Sequence, residues 1–190
     1  MKVEQHVIIH RPVSEVWAVL SDVPAVVSCI PGAELGESLG NDVYRGAFNL
    51  KIGPLSAKIE GEGTVKREDA SRSGTIEGKG VDRRGGSRVS AVMSYRVIEI
   101  PGGSKVDITA DLNLAGQLSQ IGRTGLIEDV AKRLTEDFSV ALTERLTAAS
   151  REAGNNTIQA EKATFDAGEV LRQSLWKRLK GLFGRVLGHR

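Results

Sequence analysis

Residues 87–149 read SRVSAVMSYRVIEIPGGSKVDITADLNLAGQLSQIGRTGLIEDVAKRLTEDFSVALTERLTAA. Within this stretch the apolar period changes from two to about 3.6. Val89, Ala91, Met93, Tyr95 and Val97 alternate with polar residues. Pro101-Gly102-Gly103 makes a turn, and Val106, Ile108, Ala110, Leu112, Leu114 and Gly116 alternate again. From Arg123 to Ala149 the spacing is helical. Leu126, Ile127, Val130, Ala131, Leu134, Phe138, Ala141 and Leu142 form one broad stripe. Glu128, Asp129, Lys132, Arg133, Glu136 and Glu144 lie mostly off it. Two antiparallel strands followed by one long helix are expected.

Upstream, turn signals recur at Gly40-Asn41-Asp42, Gly53-Pro54, Asp69 to Gly74 and Arg83 to Gly86. Gly32 to Gln117 therefore reads as a meander of about six strands. Lys2 to His10 is rich in Val and Ile and reads as a further strand. Ser14 to Leu20, after Pro12, and Pro24 to Cys29 read as two short helices, closed by Pro31-Gly32. Ser150 to Gly168 is polar and poorly periodic. It reads as a linker, with helix around Thr157 to Thr164. The fold class is α+β: a curved antiparallel sheet wrapped around a helix. Residues 1–149 form the domain, 150–169 the linker and 170–190 a separate tail.

The strands carry small residues where a core normally carries large ones. Leu55, Ala57, Ile59, Gly61, Gly63 and Val65 share a face, as do Ile76, Gly78 and Gly80. The chain has 22 glycines and only 4% aromatics. Aromatics supply much of the volume between helix and sheet. Close-packed interiors leave small side chains two outcomes: backbones approach, or space remains. An apolar cavity under the sheet is expected; strand bending at the glycines is the alternative.

Val170 to Arg190 reads VLRQSLWKRLKGLFGRVLGHR and contains no acid. On a helix, Leu171, Leu175, Trp176, Leu179, Leu182, Phe183, Val186 and Leu187 share one face. Lys177, Arg178, Lys180 and Arg185 fall outside it. This pattern suits a helix lying in an anionic membrane interface, too polar to span it. Packing on the chain's own domain, or docking in a partner's groove, are the competing readings.

The charges nearly balance, at 26 basic and 24 acidic over 190 residues. The basic excess sits in the tail and aromatics are scarce, which argues against nucleic acid. Cys29 is the single cysteine, so no internal disulfide forms and a reducing cytoplasm fits. It sits in an apolar context and reads as a buried, inert thiol. His6, His10 and His189 are too scattered for a metal site. The N-terminus, MKVEQHVIIHRP, lacks a signal-peptide pattern, so membrane contact is expected at the C-terminus and from the inner face. Asp82, Arg83 and Arg84 read as a solvated turn, with partner binding as a second use. Arg123 at the helix start suits a polar ligand group, a partner carboxylate or plain solvent.

The order of elements resembles the helix-grip fold of the START and Bet v1-like (SRPBCC) superfamily, whose members hold hydrophobic ligands between helix and sheet. Cys29-Ile30-Pro31-Gly32-Ala33 is similar to the C-x-P-G-A signature of the carbon monoxide dehydrogenase G-subunit family. Phe48-Asn49-Leu50-Lys51-Ile52-Gly53-Pro54 is similar to that family's strand-and-turn segment, and Gly122-Arg123 before the Ala131-x-x-Leu134-x-x-x-Phe138 helix also fits. The resemblance covers about residues 1–148. It implies an accessory protein to molybdenum-containing hydroxylases, not a catalytic subunit.

From the apolar spacing, candidate pocket residues are Tyr44, Phe48, Leu50, Ile59, Met93, Tyr95, Leu112, Leu114, Leu126, Val130, Leu134 and Phe138. Core packing is the plain alternative for each. Together these parts suggest a protein that holds a membrane quinone. It would tether a carbon monoxide dehydrogenase-type enzyme to the inner face of the cell membrane. The alternatives are a ligand-free assembly chaperone or a general lipid-binding protein. An enzyme is disfavoured, because no polar dyad stands out.

Overall fold

The computed structural model describes residues 1–52, 55–120 and 126–164, with side chains of the last helix as far as Arg151. The Gly53-Pro54 turn, Arg123 and the amphipathic tail 170–190 lie outside the described residues. The elements run β1 (Lys2–Ile9), α1 (Val13–Leu20), α2 (Val23–Ser28), β2 (Ala33–Gly40), β3 (Val43–Ile52), β4 (Leu55–Glu68), β5 (Ser73–Asp82), β6 (Ser87–Ile100), β7 (Gly103–Ala115) and α3 (Leu126–Thr164). A 3-10 turn at Gly116–Leu118 precedes α3.

Local chemistry sets the boundaries. Pro12 has no N–H to lose at a helix start, and its carbonyl accepts from the Glu15 and Val16 amides. The Asp22 carboxylate caps α2 by accepting the Ala25 amide at 3.2 Å. Gly32 has φ of +81°, and a Cβ there would collide with the Asn49 carbonyl. The Asn49 amide donates to Gly32 O at 2.8 Å, and Asn49 Nδ2 donates to Glu34 Oε1 at 2.7 Å. That hydrogen bond, followed by Lys58, holds the Glu34 carboxyl below its ordinary range. The two segments that carried the family resemblance on the sheet side therefore meet in space. Each needs the other's shape.

The seven strands form one antiparallel sheet in the order β1-β7-β6-β5-β4-β3-β2. β1 and β2 are its two free edges, so the curved sheet stays open. The register puts Tyr44 opposite Gly63, Gly63 opposite Gly78, Gly78 opposite Ala91 and Ala91 opposite Leu112. A parallel row runs through Gly46, Gly61, Gly80, Val89 and Leu114. The face assignments read from alternation hold across all of these strands. The sheet's inner face looks toward α3.

Two apolar clusters lie on that face. The larger one joins Val7 and Ile9 of β1, Val16 and Leu20 of α1, Tyr95 and Val97 of β6, and Phe138, Leu142 and Leu146 of α3, with Cys29 buried among them. The smaller one forms around Ala57 and Leu118, with Leu50, Ile52, Ile59, Val89, Leu114 and Ile127 packed against them.

The helix does not stop near Ala149. It continues to Thr164, so residues 150–164, read as linker, are helical. Thr143 Oγ1 donates to the Ser139 carbonyl inside the helix, and Arg145 reaches Ser28 Oγ at 3.2 Å from its exposed side. Backbone proximity divides the chain into residues 1–146 and 147–190. The first unit holds the sheet, the short helices and both clusters. The second holds the remainder of α3.

Candidate functional site

The two clusters leave a middle zone. Glycines let strands approach closely: a Cβ on Gly61 would lie 2.6 Å from Gly80 Cα, and one on Gly80 would lie 2.6 Å from the Ile59 side chain. One row further along, the crowding ends. A Cβ on Gly63 or on Gly78 would meet only a neighbouring carbonyl oxygen, at 3.7 Å, an ordinary contact. Ala91 and Ala110 add two more small residues to that zone.

The twelve sequence-predicted pocket residues separate into four groups. Tyr44, Phe48, Met93, Leu112, Val130 and Leu134 are half-buried and belong to neither cluster. Leu50, Ile59 and Leu114 pack against the smaller cluster. Tyr95 and Phe138 are buried in the larger one. Leu126, at the start of α3, is 41% exposed. In the first group Tyr44, Met93 and Leu112 lie in the strand rows between the two clusters, whereas Phe48 sits opposite Ile59, beside the smaller one. Val130 and Leu134, one turn apart on α3, are spaced to share a helix face.

Tyr95 closes one end in a defined way. Its hydroxyl donates to the Leu20 carbonyl at 3.4 Å, and its ring lies 6.3 Å from that of Trp17. Gly74 beneath it has no room for a Cβ, which would fall 2.5 Å from the phenol. Burial raises the Tyr95 hydroxyl above its ordinary value, with the Arg67 guanidinium opposing the change. Arg67 itself donates to the Ser21 carbonyl and pairs with Asp42 at 2.7 Å, while Trp17 Nε1 donates to Asp69 at 2.9 Å. These polar contacts lock the α1–α2 junction to the β4–β5 and β2–β3 turns.

Leu118 closes the other end. It is 1% exposed, and its amide donates to the buried Ser87 hydroxyl at 3.3 Å. Sequence reading missed Leu118 and its neighbour Ile127 as site walls. Gly116 to Gln120 carries no periodic signal, so only the tertiary structure shows that its one large apolar residue turns inward. Two open hollows, of about 660 and 790 Å³, lie elsewhere, on the outer face over β4 to β7. No group of three or more metal-ligating side chains occurs among the described residues.

Solved structures share this architecture. A conserved protein of Geobacillus kaustophilus superposes with a TM-score of 0.69 at 20% identity, covering 78% of this chain and 97% of its own. A protein of Thermus thermophilus gives 0.59 at 15%, covering 79% and 99%. The Zhui aromatase/cyclase of Streptomyces sp. R1128 gives 0.55 at 16%, covering 81% and 98%. These likenesses show the fold, a helix-grip arrangement of a curved antiparallel sheet around a long helix. No curated relative matches the sequence. The family model for the carbon monoxide dehydrogenase G-subunit (CoxG) matches residues 6–147, and the chain belongs to that family.

Proposed function

We propose that this protein binds a hydrophobic, lipid-like molecule in the middle of the inner face, as a non-catalytic accessory to a carbon monoxide dehydrogenase-type molybdenum hydroxylase. One observation carries the reading. Tyr44, Met93 and Leu112 stay half-buried in the strand rows that hold Gly63, Gly78, Ala91 and Ala110, between the two packed clusters, and Val130 and Leu134 of α3 are half-buried too. A chain that only needed a core would gain roughly 25 cal/mol per Å² by closing this zone. The family supports the partner class.

The finer reading is that the ligand is an isoprenoid quinone drawn from the membrane. Electrons from the hydroxylase need an acceptor, and an isoprenoid tail needs a dry, elongated site. The basic amphipathic tail at 170–190 would supply reversible contact with the inner face of the cell membrane. Among the described residues no helix is long and apolar enough to cross a membrane. A general lipid carrier is the broader form of the same reading.

Full-length protein purified from its native membranes under mild conditions, with bound small molecules identified by mass spectrometry, tests both levels. A stoichiometric quinone is expected. Another stoichiometric lipid would keep the carrier and remove the quinone. An empty protein that takes up neither from liposomes would remove ligand binding and leave an assembly or tethering role.

A further inference from the structure

Most charges on the sheet's outer face are paired. Lys66 meets Glu77 at 3.1 Å, Lys58 meets Glu34 at 3.3 Å, and Arg45 meets Glu37 at 3.2 Å. Around the β5–β6 hairpin this pairing stops. Lys79, Arg83, Arg84 and Arg88 are exposed, and none forms an ion pair among the described residues. The acid adjacent in sequence is already committed. Asp82 is buried, its Oδ1 accepts the Arg84 amide at 3.1 Å, and its other oxygen lies where a Cβ on Gly85 would collide with it. The Asp82 carboxylate thus shapes the turn and leaves the two arginine side chains outside. At the base of the turn, buried Ser87 accepts the Leu118 amide.

Lys79 and Arg88 also line the 660 Å³ hollow on the outer face. Its floor includes Ala115 and Val81, which is 38% exposed. Its β4 side is Glu60 and Glu62, directly opposite Val81 and Lys79, and these acids lean on Lys58 at 3.9 Å and Arg45 at 3.7 Å. An apolar centre with a charged rim has the anatomy of a protein interface. Three of these four hairpin cations are arginines, whose planar forks match carboxylates in two-point contacts and are frequent at interface centres. A lipid surface is a poorer fit, since headgroups would meet the Glu60 and Glu62 wall.

We propose that the β5–β6 hairpin and the hollow beside it are the docking surface for an acidic protein partner, whose carboxylates engage Arg83, Arg84 and Arg88. This rests on the accessory-protein reading above, on which the partner is the dehydrogenase.

The test measures binding of full-length protein to the purified dehydrogenase of the same organism, and to vesicles of phosphatidylcholine and phosphatidylglycerol at 3:1. The R83E/R84E/R88E variant should bind the dehydrogenase at least about tenfold more weakly. Arg96→Glu, an exposed cation on the same face outside the hollow, should bind normally. Vesicle binding should be unchanged in both. Arg83→Glu alone, at the exposed tip, carries the test if the triple variant melts early. Undiminished dehydrogenase binding by the charge-reversed variants overturns the docking surface and leaves the accessory reading intact. Loss of vesicle binding with dehydrogenase binding retained overturns it in favour of a membrane contact. A wild-type protein that does not bind the dehydrogenase at all removes the accessory reading, and this inference with it.

Discussion

At the scale of single residues, glycines divide into those that hold backbones together and those that hold volume open. Gly61→Ala should destabilise the protein by about 2 kcal/mol or more, because the added methyl meets the Gly80 backbone. Gly78→Leu should cost less, since its first atom meets nothing closer than 3.7 Å, and should fill the proposed site. Thermal melting and ligand uptake from liposomes, measured together, check the pair. A Gly78→Leu protein that melts normally yet still loads ligand would place the site elsewhere. Tyr95 supplies a pH test. Its folded-state value is raised by burial, so its contribution to stability is complete below pH 10 and falls as pH rises beyond that. Tyr95→Phe should lose about 0.5–1.5 kcal/mol at neutral pH with the Leu20 hydrogen bond. It should also melt with a flatter dependence above pH 10 than the wild type does.

Among the elements, α3 carries the most. Its Phe138, Leu142 and Leu146 hold the larger cluster together, and Leu142 is fully buried against α1 and the sheet. Leu142→Ala should cost about 2–5 kcal/mol, read by denaturant unfolding. Val130→Ala, earlier on the same helix and half-buried in the open zone, should cost well under half as much. Equal losses at the two positions would mean that the middle zone is packed like the ends. The same helix explains how the pocket residues sort. Sequence spacing gives the stripe but not where along it the sheet comes close. Phe138 therefore reads like Leu134 in sequence, although one is core and the other half-open.

For the whole molecule, the test lies in the tail. Removing residues 170–190 should abolish binding to anionic vesicles at 0.15 M salt while leaving the melting temperature and bound ligand unchanged. Co-sedimentation and mass spectrometry check this. If membrane binding survives the deletion, the contact lies within residues 1–169. Tethering further predicts that the dehydrogenase leaves the membrane fraction in cells carrying the truncated protein, with its molybdenum cofactor content normal. An assembly chaperone predicts the opposite pattern.

The amino-acid sequence by itself determined the strand and helix order, the face on which each strand side chain lies and the family. Those properties follow from periodicity and turn chemistry, which are local, and from short motifs such as Cys29 to Ala33. Gly32 and Asn49 already stood out there, though their contact was invisible. The tertiary structure alone decided which apolar residues close the two ends and which remain open. That depends on how closely Gly61 and Gly80 let their strands approach and on where Leu118 turns inward, distances set between segments apart in the chain. It also decided the fate of Asp82. In sequence it reads as part of a solvated turn with Arg83 and Arg84; folded, Asp82 is buried and accepts the Arg84 amide, while the two arginine side chains stay exposed.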